Sequence, residues 1–240
     1  MTASQPGAPG VTVITGASRG IGRALALHLA GRGRWVVAAA RTAADLESLA
    51  ALSPRITTVI ADVTRPADIE AVGQAADAAG RMEAWVNNAA VVDPRPFMEL
   101  GPEEFDAVLA VNLRGTFLGC RAALRRLARN GGGVILNVGS LSGFPFIEKF
   151  PGNLAYNVSK AGVHALTEAI ALEGRPLGVR CLTLAPGAVD TAMLRRAAPH
   201  LRAGVSPEEV AEIAAFLLSD AAAPLSGTTI PMFTNLSADG

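Results

Sequence analysis

The chain has 240 residues, half of them hydrophobic but only 5% aromatic, so its core must be packed mainly from aliphatic side chains and alanine. Basic and acidic residues balance at 21 each, which argues against a nucleic-acid partner, because counterion release from phosphates needs a basic excess. The length alone allows one large domain or two small ones.

Short β-branched runs alternate with longer Ala- and Leu-rich segments. Val11–Thr15 reads as a first buried strand, and the stretch from about Gly20 to Gly31 as the helix after it. Between them lies Thr15-Gly16-Ala17-Ser18-Arg19-Gly20-Ile21-Gly22. Glycines at such a junction permit a tight turn and let backbone amides approach a pyrophosphate, which the helix N-terminus also attracts. The turn therefore predicts dinucleotide binding. Trp35–Ala40 reads as the second strand. A site selective for NAD places a carboxylate at the end of this strand, against the ribose 2′-hydroxyl. Here Ala40 stands in that place and Arg41 follows. A guanidinium matches a 2′-phosphate, and Arg19 offers a second cation, so the expected cofactor is NADP(H) rather than NAD(H).

Helical patterns over 43–52, 66–80, 103–129, 155–174 and 207–219 alternate with strands at Ile56–Ala61, Ala84–Asn87, Gly133–Val138 and Val179–Ala185. This alternation predicts an α/β fold: a single-domain, doubly wound, Rossmann-type parallel sheet with helices on both faces. No repeat or long linker divides residues 1–240, and loose termini are expected at 1–10 and 234–240. Arg114, Arg121 and Arg125 recur near helical spacing and read as a solvated basic stripe. Cys120 and Cys181 sit in apolar stretches and are expected as buried free thiols. His28, His164 and His200 lack metal-ligand spacing, so no metal site is expected. No apolar stretch approaches the ~18 residues that span a bilayer, and Met1–Gly10 lacks the pattern of a signal peptide. A soluble, cytoplasmic protein with no membrane partner is expected.

Tyr156-Asn157-Val158-Ser159-Lys160 places a phenol and an ammonium one helical turn apart on one face. A phenol with pKa of about 10 is a poor acid or base near neutrality, and a neighbouring cation favours its ionised form. Tyr156 is the only tyrosine, and only two lysines occur beside 19 arginines, so the spacing is not that of an arbitrary surface pair. The two residues are read as a proton-transfer pair.

Together these features resemble the short-chain dehydrogenase/reductase family, and within it the 3-oxoacyl-carrier-protein reductases, along nearly the whole chain. Gly16, Gly20 and Gly22 form Gly-x-x-x-Gly-x-Gly, which looks like the family's cofactor loop with Ser18 and Ile21 inside it. The resemblance implies that Asp62-Val63 flanks the adenine. It implies a cofactor contact from Asn88 in Asn87-Asn88-Ala89-Ala90, where Ala90 departs from the family's glycine. It implies that Asn112 holds a proton-relay water, and that Val189 and Thr191 in Pro186–Thr191 contact the nicotinamide carboxamide. By the same resemblance Ser140 hydrogen-bonds the substrate oxygen, with Ser142 as a rival, and Lys160 also binds the nicotinamide ribose. The spacing from Ser140 to Tyr156 exceeds the family's by a few residues, which fall in the apolar loop Phe144–Asn153, a candidate pocket wall. A short substrate lid over Ala192–Val205 and a homodimer or homotetramer built on the two long helices are further implications.

The function so implied is NADP(H)-dependent hydride transfer between nicotinamide and a small ketone or secondary alcohol, as a carbonyl reductase. A secondary-alcohol dehydrogenase working oxidatively, or a catalytically silent NADP(H)-binding regulator, are the alternatives.

Overall fold

A computed structural model describes residues 10–198 and 200–234. Strands and helices alternate through β1 (Gly10–Thr15), α1 (Gly20–Gly31), β2 (Trp35–Ala40), α2 (Ala43–Ala50), β3 (Ile56–Ile60), α3 (Pro66–Ala79) and β4 (Arg81–Asn87). They continue through α4 (Pro102–Leu109), α5 (Gly115–Arg129), β5 (Gly133–Val138), α6 (Leu154–Gly174), β6 (Val179–Pro186), α7 (Ala192–Ala197), α8 (Pro207–Leu217) and β7 (Thr229–Met232). The seven strands form one sheet in the order β3-β2-β1-β4-β5-β6-β7, with every pairing parallel. Winding runs outward from β1 to β3, then reverses to β4. A crevice at that reversal, above the carboxyl ends of β1 and β4, is where open α/β sheets bind ligands.

Alternate residues of each strand face opposite cores. From β1, Ile14 packs with Leu25 and Leu29 of α1 and with Val210 and Leu217 of α8. Val11 and Val13 point the other way, toward Ile69 and Val72 of α3 and Leu118 and Leu127 of α5. Because both faces are covered, the strands read as continuous apolar runs. A buried polar chain ties β4, β5 and α6 together: Trp85 Nε1 donates to Asn87 Oδ1 (2.8 Å), Asn87 Nδ2 to Asn137 Oδ1 (2.9 Å), and Asn137 Nδ2 to Thr167 Oγ1 (2.8 Å). Cys120 and Cys181 are buried and free beside it.

Several expectations need correction. The helix foreseen over 103–129 is α4 and α5 joined by a π-helical turn, Ala110–Arg114. By length and composition Pro102–Arg129 could span a bilayer (mean hydropathy 1.2 over 18 residues), contrary to the sequence reading; half of that window is buried against the fold, as in a core helix. β7 was missed because Pro231 interrupts a run of only four residues. The sheet tolerates it because β7 pairs with β6 alone, so the absent N–H lies on an edge. Gly10 opens β1, and Thr234 is buried with its hydroxyl donating to Ala188 O (2.9 Å), so neither belongs to a loose terminus; residues 1–9 and 235–240 lie outside the described residues.

Arg114, Arg121 and Arg125 are exposed. Their neighbour Arg126 is buried, paired with Glu70 and Asp77 of α3 and lying across Gly73. A Cβ at Gly73 would fall on that guanidinium, which must shift away from its half-exposed carboxylate partners to make room. Gly73→Ala should destabilise the fold by ~1 kcal/mol through displacement of the guanidinium from Glu70 and Asp77, measured as a lower denaturant midpoint at unchanged slope; an unchanged midpoint would contradict this packing.

Candidate active site

The β1–α1 turn is built for close backbone approach. Gly16 and Gly20 adopt φ of +65° and +53°, the left-handed region where a side chain is strained. A Cβ on Gly16 would come within 2.6 Å of Ala89 Cα. Asn88 Nδ2 donates to the carbonyls of Thr15 (3.1 Å) and Gly16 (2.9 Å), and Thr15 Oγ1 accepts from the Asn88 and Ala89 amides. Asn88 thus shapes the turn from β4 as well as lining the cleft above it. The first turn of α1 has no acidic residue and no side-chain cap, so its amides face the cleft end unopposed by a carboxylate.

That cleft has a volume of about 870 Å³, at the upper end of the ~300–1,000 Å³ found for small-molecule and cofactor sites. Gly16, Ser18, Arg19, Gly20 and Ile21 line it with Arg41, Asp62 and Val63, and so do Ser140, Tyr156, Lys160, Val189 and Thr191. Two foreseen residues are off the wall. Gly22 packs onto the Gly16 carbonyl, where a Cβ would collide, and so serves helix–strand approach. Asn112 is buried in the π-turn. Its Oδ1 accepts from Val91 N–H (2.8 Å), and its Nδ2 donates to Val91 O (2.9 Å) and Ser159 Oγ (3.0 Å). It braces the post-β4 loop against α6.

Two residues past β5, Ser140 has an extended backbone (φ −167°) and starts the turn Leu141–Gly143. The Ser142 amide donates to Ser140 Oγ (3.1 Å), so Ser142 orients Ser140 through its backbone, and both serines line the cleft. Lys160 is 3% exposed, and its Nζ donates to Val138 O (2.7 Å) while lying 5.6 Å from the Tyr156 ring centre. Burial pushes the Lys160 ammonium down to about 8, so it remains mostly charged at neutrality. Burial also raises the Tyr156 phenol, opposed by the Ser140 hydrogen bond. The expectation that Lys160 would make the phenol acidic is corrected in this respect: in the protein alone, removal from water raises the phenol. One turn further along α6, His164 is held neutral, down to about 4, by burial and then by the charges of Lys160 and Lys149.

Thr191 caps α7, accepting from Leu194 N–H (3.2 Å). Its methyl lies 3.4 Å from where a Cβ on Gly20 would be, so the foreseen lid begins directly on the glycine turn. Sequence reasoning missed α7 itself and Asn153, three residues before Tyr156 on α6's leading edge, which also lines the cleft. Its spacing was visible, but an asparagine before a helix ordinarily signals only a cap.

A glycine turn at a helix N-terminus and a serine–tyrosine–lysine cluster therefore share one cleft. The chain is matched over residues 10–202 by the short chain dehydrogenase family. It is 34% identical to the 2-(R)-hydroxypropyl-CoM dehydrogenase of Xanthobacter autotrophicus, covering 92% of this chain and 96% of that protein. It is 33% identical to the levodione reductase of Leifsonia aquatica, covering 92% of each. The crystal structure of 3-ketoacyl-(acyl-carrier-protein) reductase from Brucella melitensis, complexed with NADH, superposes with a TM-score of 0.85 at 32% identity, over 92% of this chain and 96% of that one. Kinship across the whole domain agrees with what the cleft contains, and the chain belongs to the short-chain dehydrogenase/reductase family.

Proposed function

We propose that this oxidoreductase is an NADP(H)-dependent carbonyl reductase acting on small ketones. The observation that carries the reading is the presence of Ser140, Tyr156 and the buried Lys160 ammonium on the wall of one cleft, with Lys160 Nζ 5.6 Å from the Tyr156 ring centre. The glycine turn fits a dinucleotide because its backbone leaves the space that side chains would fill. A bound nicotinamide supplies the hydride. Ser140 and Tyr156 hold the carbonyl oxygen and stabilise the charge that develops there. Tyr156, kept protonated at neutral pH by burial, gives its proton to that oxygen. Lys160 offsets the negative charge left on the phenol.

Kinship covers proteins named for both directions, and the raised Tyr156 keeps the phenol in the protonated form that reduction uses. NADP(H) is supported by Arg41 and Arg19 on the cleft rim and by Ala40 in place of a carboxylate. Asp62, also on the cleft wall, has its Oδ1 engaged by the Thr64 amide (2.9 Å) and hydroxyl (2.8 Å). Exposed Phe117 on α5 and Val158 and Leu172 on α6 support a homo-oligomer.

Tyr156→Phe should lower kcat for ketone reduction about 10²–10⁴-fold while NADPH binding, followed by fluorescence, stays within about twofold; near-normal turnover would refute the assignment. Arg41→Ala should reduce kcat/KM for NADPH ~10–100-fold and leave NADH almost unaffected. A wild-type preference for NADH would overturn the choice of cofactor. Because Lys160 loses its charge as pH rises through about 8, kcat/KM for reduction should fall over that interval; a profile flat to pH 10 would show that the ammonium is not required.

A further inference from the structure

The cleft wall that follows β6 is held from behind by residues close to the end of the chain. Past β6 the backbone runs between two neighbours. On one side is the strap that carries Ser140: Val138 and Leu184 are in register, and the Gly139 amide donates to Leu184 O (2.7 Å). On the other side is the end of β7, where Met232 O accepts from the Gly187 amide (3.0 Å). Two residues further on, Thr234 is 5% exposed, and its hydroxyl donates to Ala188 O (2.9 Å). Thr234 also meets the returning arm of the lid, since a Cβ at Gly204 would fall on the Thr234 carbonyl. The two arms are joined here: Val189 is bridged to Val205, and the Asp190 amide donates to Val205 O (3.0 Å). The lid that contains α7 thus leaves and returns through one base, and Thr234 touches both sides of it.

In a planar trans peptide the carbonyl and the N–H point in opposite directions. A hydroxyl that fixes Ala188 O toward the segment after β7 therefore fixes the Val189 N–H away from it. Ala188, Val189 and Thr191 line the cleft with Ser140 and Tyr156, whereas Thr234 is not on its wall. The register of β5 and β6 puts the residues past β6 beside those past β5, where Ser140 stands. Hydride reaches a carbonyl held at Ser140 and Tyr156 only from a nicotinamide in this part of the cleft. We infer that Thr234 is a positioning residue for the cofactor: without touching it, the hydroxyl sets the 188–189 peptide and the base of the lid, the wall against which the nicotinamide is aligned for transfer. This rests on the reductase reading.

Three variants of the full chain test it. Thr234→Val removes the hydroxyl and keeps the shape, Thr234→Ser keeps the hydroxyl, and Gly204→Ala displaces Thr234 through its carbonyl. Each is titrated with NADPH and, separately, with adenosine 2′,5′-bisphosphate, which has the adenine and phosphate end of the cofactor but no nicotinamide. Thr234→Val should weaken NADPH about 5–30-fold and leave the bisphosphate within about twofold. It should also lower kcat for ketone reduction ~10–100-fold, because a misaligned nicotinamide transfers hydride poorly. Gly204→Ala should act in the same direction, and Thr234→Ser should return to within about threefold of wild type. A residue that merely supported the fold would not separate the two ligands. Equal weakening of both, or unchanged NADPH binding and kcat in Thr234→Val, overturns the role of Thr234 and leaves the reductase reading standing. Should Thr234→Val not fold, Gly204→Ala and Thr234→Ser decide by the same criteria. A wild type that binds NADH in place of NADPH overturns the choice of cofactor alone, and the comparison is then made with NADH and AMP; one that binds neither nucleotide overturns both readings.

Discussion

The site is organised around an ammonium that the fold has taken out of water. Lys160 is almost wholly buried, and among the described residues its ammonium donates to the main-chain carbonyl of Val138 at the end of β5. No carboxylate contributes to its electrostatics; burial is the one cause of its lowered pKa. A buried cation without a counter-ion is expensive, and the chain tolerates it where the cleft is meant to receive negative charge. The sheet supplies the carbonyl, α6 supplies the lysine, and the register between them decides whether the two meet.

That register is set by neighbours that never touch the cleft. The chain of Trp85, Asn87, Asn137 and Thr167 locks β4 and β5 to α6 through short hydrogen bonds in the core. Asn112 does the same between the post-β4 loop and α6, one residue from Lys160 through Ser159. The imidazole of His164 packs under Gly139 and Gly143, where any side chain would strike it, and so supports the strap that carries Ser140. The reactive groups are few; the residues that hold them in place are many and lie on β4, β5, α6 and the π-turn.

What was legible in the sequence was what is local. Tyr156 and Lys160 declare themselves by spacing on one helix, and the glycine turn by its place between a strand and a helix. The doubly wound sheet follows from alternation, since apolar strands separated by helices have few other arrangements. Long-range pairings left no trace in spacing: nothing near Lys160 announces the Val138 carbonyl, and only the backbone of the 140–143 turn separates the roles of Ser140 and Ser142. The direction of the Tyr156 shift was misjudged for the same reason, because a neighbour's charge can be read from spacing while burial cannot. β7 escaped notice because a proline that would break an inner strand is harmless on an edge.

The π-turn at Ala110–Arg114 carries one more residue than an α-helical turn requires. Excising a single position there would restore uniform winding but swing α4 by ~100° relative to α5. Val108 and Leu118, both now in the interior, could then not remain there together, and the Asn112 amide would lose Val91. Loops elsewhere in this domain can lengthen or shorten freely, whereas here the count of residues is itself a structural element, and descent with insertions or deletions should pass it by.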